Sequence, residues 1–132
     1  MKLSDETMKR TVALPAAAAA ALTSSVDLGG DRAGPLGHTL EVHLSLPALP
    51  SLVDAKTVTV DLYDCDTEDG AYAVVPTVGN MVVTGAGGAG AAAKSWRFYL
   101  PPDTRRFVKA RAAVLTGGGD NTAKSLTMEF RV

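Results

Sequence analysis

The acidic segment at residues 61–70 comes closest to a metal site by its residue types. It reads Asp-Leu-Tyr-Asp-Cys-Asp-Thr-Glu-Asp-Gly. An EF-hand calcium loop needs oxygen ligands at positions 1, 3 and 5, glycine at 6 and glutamate at 12. Counted from Asp64, the first three positions fit, but position 6 is Asp69 and position 12 is Val75. Because valine cannot coordinate a cation and the flanks have strand patterns, we interpret the segment as a solvated hairpin loop.

Residues 88–95 resemble a phosphate-binding loop, in which glycine precedes Lys-Ser and a helix follows. Here Ala93 precedes Lys94-Ser95, and the sequence Trp-Arg-Phe-Tyr-Leu that follows has a strand pattern. Both the residue and its context therefore argue against a nucleotide site.

The remaining reactive residues form no constellation either. His38 and His43 are the only histidines, and five positions along a strand they point to opposite faces. The single Cys65 excludes an internal disulfide, and its acidic neighbours disfavour a thiolate, so we expect a small, partly buried residue. No Gly-x-Ser-x-Gly marks a nucleophile. The sequence predicts no enzyme, no metal and no cofactor, and it assigns no catalytic or binding residue.

The basic residues and the overall charge bear on partners. Arg105, Arg106, Lys109 and Arg111 form either a modest basic patch or counter-charge for the acidic segment, and we favour the second reading. The formal net charge of −1 argues against a nucleic-acid partner, which normally requires a clear basic excess. We also expect no membrane partner.

Hydrophobic periodicity predicts the secondary-structure elements of the chain. In residues 124–132, Leu126, Met128, Phe130 and Val132 alternate with polar residues, as in a strand with one apolar face. The same alternation predicts strands at 38–46, 56–63 and 95–100. Short runs predict strands at 71–75, which ends before Pro76, and at 80–84, which is β-branched, and a weaker strand is expected at 22–28. Residues 107–116 are apolar on both parities apart from Lys109 and Arg111, which predicts a central strand. About eight short antiparallel strands at close spacing are typical of a β-sandwich or barrel.

Strand parity also predicts the core, and the connections are rich in turn residues. The turns are Asp69-Gly70, residues 85–90 and residues 117–121. The predicted core residues are Leu40, Val42, Leu44, Val58, Val60, Leu62, Trp96, Phe98, Val108, Ala110, Val114, Leu126, Met128 and Phe130.

The N-terminal segment allows two conformations. An alanine run at residues 16–21 follows Lys9-Arg10, as in a secretory signal, but Asp5, Glu6 and Pro15 do not fit one. The run either forms a short helix opened by Pro15 or belongs to an extended arm, and the all-β context favours the arm. We therefore predict an arm at 1–24 and a single sandwich domain at 25–132.

The order of these segments resembles a known family. Ser-Val-Asp-Leu-Gly at 25–29 is followed by an alternating strand, Thr-Val-Thr-Val-Asp-Leu at 57–62, Leu-Pro-Pro-Asp at 100–103, an Arg-Phe-Val strand, a glycine-rich turn and a terminal strand. This arrangement is similar to the jelly-roll cement, or decoration, proteins of tailed bacteriophage capsids.

That resemblance implies a jelly-roll domain that acts as a structural virion protein. Its place would be the outer capsid surface, its partners the major capsid protein and copies of itself, in a homotrimer. It would clamp neighbouring capsid subunits and carry no cofactor. The small side chains of residues 1–24 would suit an arm that reaches a neighbouring subunit.

Two other classes stay open on the sequence. A carbohydrate- or receptor-binding β-sandwich of a virion or a secreted protein would present an aromatic platform, for which Tyr72 and Tyr99 are the candidates. A small β-barrel enzyme would require a deep pocket with convergent polar groups, which no pattern indicates.

Overall fold

The structure is a computed structural model that describes residues 4–28, 41–75, 81–100 and 104–131, and this part of the chain is all-β without a helix. The ladders between its strands are antiparallel. The strands are β1 (Ser4–Ala13), β2 (Ala20–Leu22), β3 (Val26–Asp27), β4 (Glu41–Leu46), β5 (Thr57–Cys65), β6 (Ala73–Val74), β7 (Met81–Thr84), β8 (Lys94–Tyr99), β9 (Phe107–Val114) and β10 (Ser125–Arg131).

The strands form two sheets whose pairing is nested. Sheet 1 has the order β1-β10-β4-β8; in sheet 2, β2 and β3 share one side of β9, β5 lies on its other side, and β6 and β7 complete the sheet beyond β5. The first strand therefore pairs with the last, β2 and β3 with β9, β4 with β8, and β5 with β6 and β7. This is the pairing of one long hairpin folded over on itself, which defines a jelly roll and confirms the predicted fold class.

The predicted strands are found at their places, with ends that differ by at most two residues where the structure describes them. Residues 38–40, Asn80 and Val132, included in the prediction, lie outside the described residues. Two elements differ in kind: β1 was not predicted as a strand, and the single weak strand at 22–28 is two strands, β2 and β3.

Thr23 explains the break between β2 and β3. Leu22 pairs with Arg111 and Val26 with Val108, so four steps on one strand match three on β9. At this bulge the backbone N–H of Ala110 donates to the Thr23 hydroxyl at 3.1 Å. The side chain thus takes over one position of the ladder, which the alternation of apolar residues could not predict.

Residues 1–24 were expected to form an arm outside the domain. The extended conformation is present, but β1 pairs with β10 and β2 with β9, so the two strands belong to different sheets. Leu14, at the crossing between them, is buried in the core. The described part of this segment is therefore built into the sandwich, because its edge strands and Leu14 cover apolar surface that both sheets would otherwise expose.

The core lies between the two sheets. Every predicted core residue that the structure describes is buried except Trp96 and Phe98, which are only partly buried and pack against the margin of the core; Leu40 lies outside the described residues. The prediction that both are fully inside was wrong, because β8 is an edge strand of sheet 1 and, among the strands that the structure describes, has a neighbour on one side only. Cys65 is buried, more completely than expected.

Candidate functional site

The acidic segment is not a metal loop in the structure. Asp61 and Asp64 belong to β5 rather than to a loop, and Asp64 is engaged by Arg105. Asp66, Glu68 and Asp69 are exposed. Among the residues described, no group of three or more His, Cys, Asp or Glu side chains could hold a metal ion.

The other motifs considered from the sequence lie on ordinary strands. Lys94 and Ser95 open β8, so no helix follows them as a phosphate loop would require. His43 lies on the outer face of sheet 1, where its Nε2 is 3.1 Å from Oε1 of Glu41. His38 lies outside the described residues.

The basic residues neutralise acids, two of them within the acidic segment. Arg105 donates through Nε and Nη2 to Asp64 Oδ1 at 3.0 and 2.9 Å. Arg111 Nη1 is 3.5 Å from Asp61 Oδ2, whereas Arg106 pairs with Asp27 on β3. The counter-charge reading thus describes Arg105 and Arg111, while Arg106 ties β3 to the start of β9.

The outer face of sheet 1 is polar. Lys9 lies directly opposite Glu129 in the register, and the hydroxyls of Thr11 and Thr127 are 3.5 Å apart. The described side chains on this face are those of Lys9, Thr11, Ala13, Glu41, His43, Ser45, Ser95, Arg97, Tyr99, Ser125, Thr127 and Glu129. This is the expected solvent face of an antiparallel sheet.

The outer face of sheet 2 is different, because large apolar side chains are exposed on it. Leu22, Val74, Val82 and Leu115 are 40 to 47% exposed. In the register they lie next to Arg111, Tyr63, Thr59 and Thr57, which are the outward residues of β9 and β5. Leu22 lies at one margin of this face and Val74 and Val82 at the other, with polar and charged residues of β5 and β9 between them. The face therefore mixes large exposed aliphatic residues with polar ones, as the outer face of sheet 1 does not.

Cations and aromatic rings alternate through the middle of this face. Lys109 Nζ lies 4.3 Å from the centre of the Tyr72 ring, and the guanidinium of Arg111 lies 5.6 Å from that of Tyr63. The Tyr72 hydroxyl also donates to the Glu68 carbonyl at 2.9 Å, which fixes the ring. Tyrosine and arginine held in place by such contacts are the residue types that most often anchor protein interfaces.

Asp61 lies beneath these cations and aromatic rings. Its side chain is 8% exposed, and Oδ1 has no hydrogen-bond partner in the described part of the chain. Burial raises the pKa of Asp61, and the charge of Arg111 offsets part of that increase. The pair therefore holds the Arg111 guanidinium at the surface while the carboxylate stays below it.

A shallow trough of about 320 Å³ crosses sheet 2 beside Arg111. Its floor is Ala20, Ala113 and Thr59, which are in register on three neighbouring strands. Arg111 and Leu115, two residues before and after Ala113 on the chain, form its sides. Ala18, Ala19, Thr57, Val114 and Thr116 complete the lining. We call this feature the trough below.

The aromatic platform of a carbohydrate site is not formed by the two tyrosines considered for it. Tyr72 lies at the β6 end of sheet 2, while Tyr99 is on β8 at the edge of sheet 1. The two rings are thus on different sheets of the sandwich.

No protein-family model matches this chain, and a search of curated proteins finds no match either. Within the described ranges, the chain has no helix with the length and apolar character that crossing a membrane requires.

Sequence reasoning missed the outer face of sheet 2 as a site. Its apolar members come from four different strands or strand ends, and none stands out in its own segment. Their one signal is a run such as residues 112–115, Ala-Ala-Val-Leu, where apolar residues occupy both parities of a strand. Such a run indicates that the second face is not a solvent face.

Proposed function

We propose that this chain is a structural virion protein that binds the outside of a tailed-bacteriophage capsid and cements neighbouring major capsid subunits. The observation that carries the proposal is the contrast between the polar outer face of sheet 1 and the outer face of sheet 2, which carries four exposed aliphatic residues and Arg and Tyr side chains held by ring contacts. A decoration protein needs one surface for the shell and one for water, and the difference between the two outer faces supports such a division.

The jelly-roll topology agrees with what the family resemblance implies, and the composition of sheet 2 agrees with a docking role. The centre of a protein interface is poor in exposed acids and rich in aromatic residues and arginine. On this face Tyr63, Tyr72 and Arg111 lie among exposed aliphatic residues, and Asp61 is largely covered. We therefore assign the shell contact to sheet 2.

Self-association belongs to the same proposal. A homotrimer would engage three shell sites together, so that modest contacts per subunit add through effective concentration. Light scattering of the purified chain tests this: we expect a trimer, and a monomer at high protein concentration would contradict it.

The part that residues 1–24 play in this proposal depends on the open edge of β1. That strand pairs with β10 on one side and has no strand on its other side in sheet 1, within the residues described. An exposed edge can accept a strand from a neighbouring subunit. Deleting residues 1–24 would also remove β2 and the buried Leu14, so we expect that deletion to impair folding as well as any contact.

The test of the shell contact is binding to undecorated capsid shells, measured by co-sedimentation. Val82→Glu puts a charge on the outer face of sheet 2, and Ser95→Glu puts the same charge on the polar face of sheet 1; both residues are exposed and lie on edge strands. We expect the native chain and Ser95→Glu to bind and Val82→Glu to fail.

Two outcomes would oppose the proposal in different ways. If the native chain does not bind shells, the virion function is wrong. If Ser95→Glu abolishes binding and Val82→Glu does not, the docking face is wrong. A glycan array addresses the carbohydrate alternative, and specific glycan binding without shell binding would favour that class instead.

A further inference from the structure

The trough contains one charged group, Arg111, and most of its N–H donors have no hydrogen-bond partner among the residues that the structure describes. The Arg111 side chain is 30% exposed, and within the described ranges its one ionic contact is Nη1 to Asp61 Oδ2 at 3.5 Å. In the described part of the chain, its guanidinium also makes a cation–π contact with the Tyr63 ring. A guanidinium has five N–H donors in a planar fork that matches a carboxylate. Arg111 can therefore accept a second anion without releasing Asp61.

The rest of the lining restricts what kind of anion fits. The floor carries the methyl groups of Ala20 and Ala113 and the side chain of Thr59, and Leu115 forms the wall opposite Arg111. A ligand that fills the trough thus meets a cation on one side and an aliphatic side chain on the other. A short extended peptide that carries an acidic residue near an aliphatic one has this chemistry.

The surrounding charges favour the same occupant. Lys109 is the next outward residue along β9 from Arg111, and the one acid of that neighbourhood on β5, Asp61, is largely covered. The exposed acids Asp66, Glu68 and Asp69 lie past the end of β5 and do not line the trough. The exposed charge beside the trough is positive although the whole chain is slightly acidic.

We propose that the trough is a binding subsite for an acidic side chain, flanked by an aliphatic residue, in an extended segment of a partner protein. The segment lies across β2, β9 and β5, with its carboxylate on Arg111 and its aliphatic side chain against Leu115. Only the identity of the partner as a capsid subunit rests on the proposed function; the chemistry of the subsite rests on the trough itself.

The experiment is a selection of random displayed heptapeptides on the immobilised full chain, followed by affinity measurement of the enriched peptides. We expect sequences with Asp or Glu next to, or two positions from, Val, Ile or Leu. Replacing the acid in a selected peptide by its amide should weaken binding by at least about tenfold, since a charge-assisted pair is lost. Enrichment without acidic residues would overturn the proposal.

Variants of the chain complete the test. Arg111→Gln should abolish the preference for acids, and Arg97→Gln, an exposed arginine on β8, should leave it unchanged. Because Arg111→Gln also leaves Asp61 without its counter-charge, Ala113→Leu serves as a second variant that fills the trough and keeps the ion pair. If Ala113→Leu folds and binds the selected peptides as tightly as the native chain, the trough is not the subsite.

The result is separable from the shell experiment. Shell binding by the native chain together with peptides that lack acids would reject the subsite and keep the proposed function. Acidic peptides that bind in the trough without any shell binding would keep the subsite and reject the function.

Discussion

Two acids on β5, Asp61 and Asp64, have very different surroundings although they lie on the same strand. Asp64 accepts hydrogen bonds from the side chain of Arg105 and from its backbone N–H, the latter at 2.8 Å to Oδ2. Asp61 has one ionic contact and an Oδ1 without a partner among described residues. Asp64 therefore stabilises the fold at the start of β9, whereas Asp61 mainly fixes Arg111.

Asp64→Ala should lower the free energy of unfolding by about 2–3 kcal/mol, because it removes charge-assisted hydrogen bonds and leaves the Arg105 N–H without its acceptor. Urea denaturation measures the change. Asp27→Ala is the matched control, since its pair with Arg106 is nearly half exposed on both sides, and we expect a much smaller effect. Equal effects of the two substitutions would contradict this account.

Asp61 should make stability depend on pH in the direction opposite to an ordinary salt-bridged acid. Burial raises its pKa above the ordinary value of 3.8, so the folded state holds its proton to higher pH than the unfolded state does. Its contribution is therefore full below the unfolded pKa and is lost as pH rises through the folded pKa. We expect the stability of Asp61→Asn, relative to the native chain, to increase between pH 4 and pH 7 in urea titrations; a constant or falling difference would refute the argument.

At the scale of elements, alternation predicted the strands that have one buried and one wet face, such as β4 and β10. It could not predict β1, whose sequence Ser-Asp-Glu-Thr-Met-Lys-Arg-Thr-Val-Ala is mostly polar, because an edge strand is held by one neighbour and needs few apolar residues. It also overstated the burial of Trp96 and Phe98, since parity tells which face a residue points to and not whether its strand is central.

The position of a strand in its sheet should decide the cost of truncating its aromatic residues. Phe130 is fully buried on β10, which has strands on both sides, so Phe130→Ala should cost about 3–5 kcal/mol. Trp96→Ala on the edge strand β8 should cost about 2 kcal/mol despite the larger ring, because less apolar surface is covered. Thermal and urea unfolding would show the order, and a larger loss for Trp96→Ala would contradict the placement of β8.

The turn between β1 and β2 contains a strained residue. Ala18 has a φ of 67°, a left-handed conformation that costs an alanine free energy and costs glycine almost none. Ala18→Gly should therefore raise stability by about 0.5–1 kcal/mol after the entropy of the unfolded chain is counted. Ala19→Gly, the neighbour without positive φ, should lower it; the same sign for both substitutions would speak against the turn.

The exposed aliphatic residues on the outer face of sheet 2 come together only through the fold of the complete domain. Leu22, Val74, Val82 and Leu115 are far apart in sequence, and only the pairing of β2, β6, β7 and β9 around β5 puts them on one face. The sandwich class was predictable from short patterns, but this face was not, because it depends on register across strands. The role of Arg111 was not predictable either, because it depends on Asp61 below the side chain and on the trough beside it.

The central claim is that sheet 2 faces the capsid and sheet 1 faces the solvent. Electron cryomicroscopy of capsids decorated with the chain tests it most directly. The account predicts density in which the outer face of sheet 2, with Arg111 and Val82, lies against the shell and the outer face of sheet 1 is open to water. Density with sheet 1 against the shell, or shells without any decoration at saturating concentration, would contradict it.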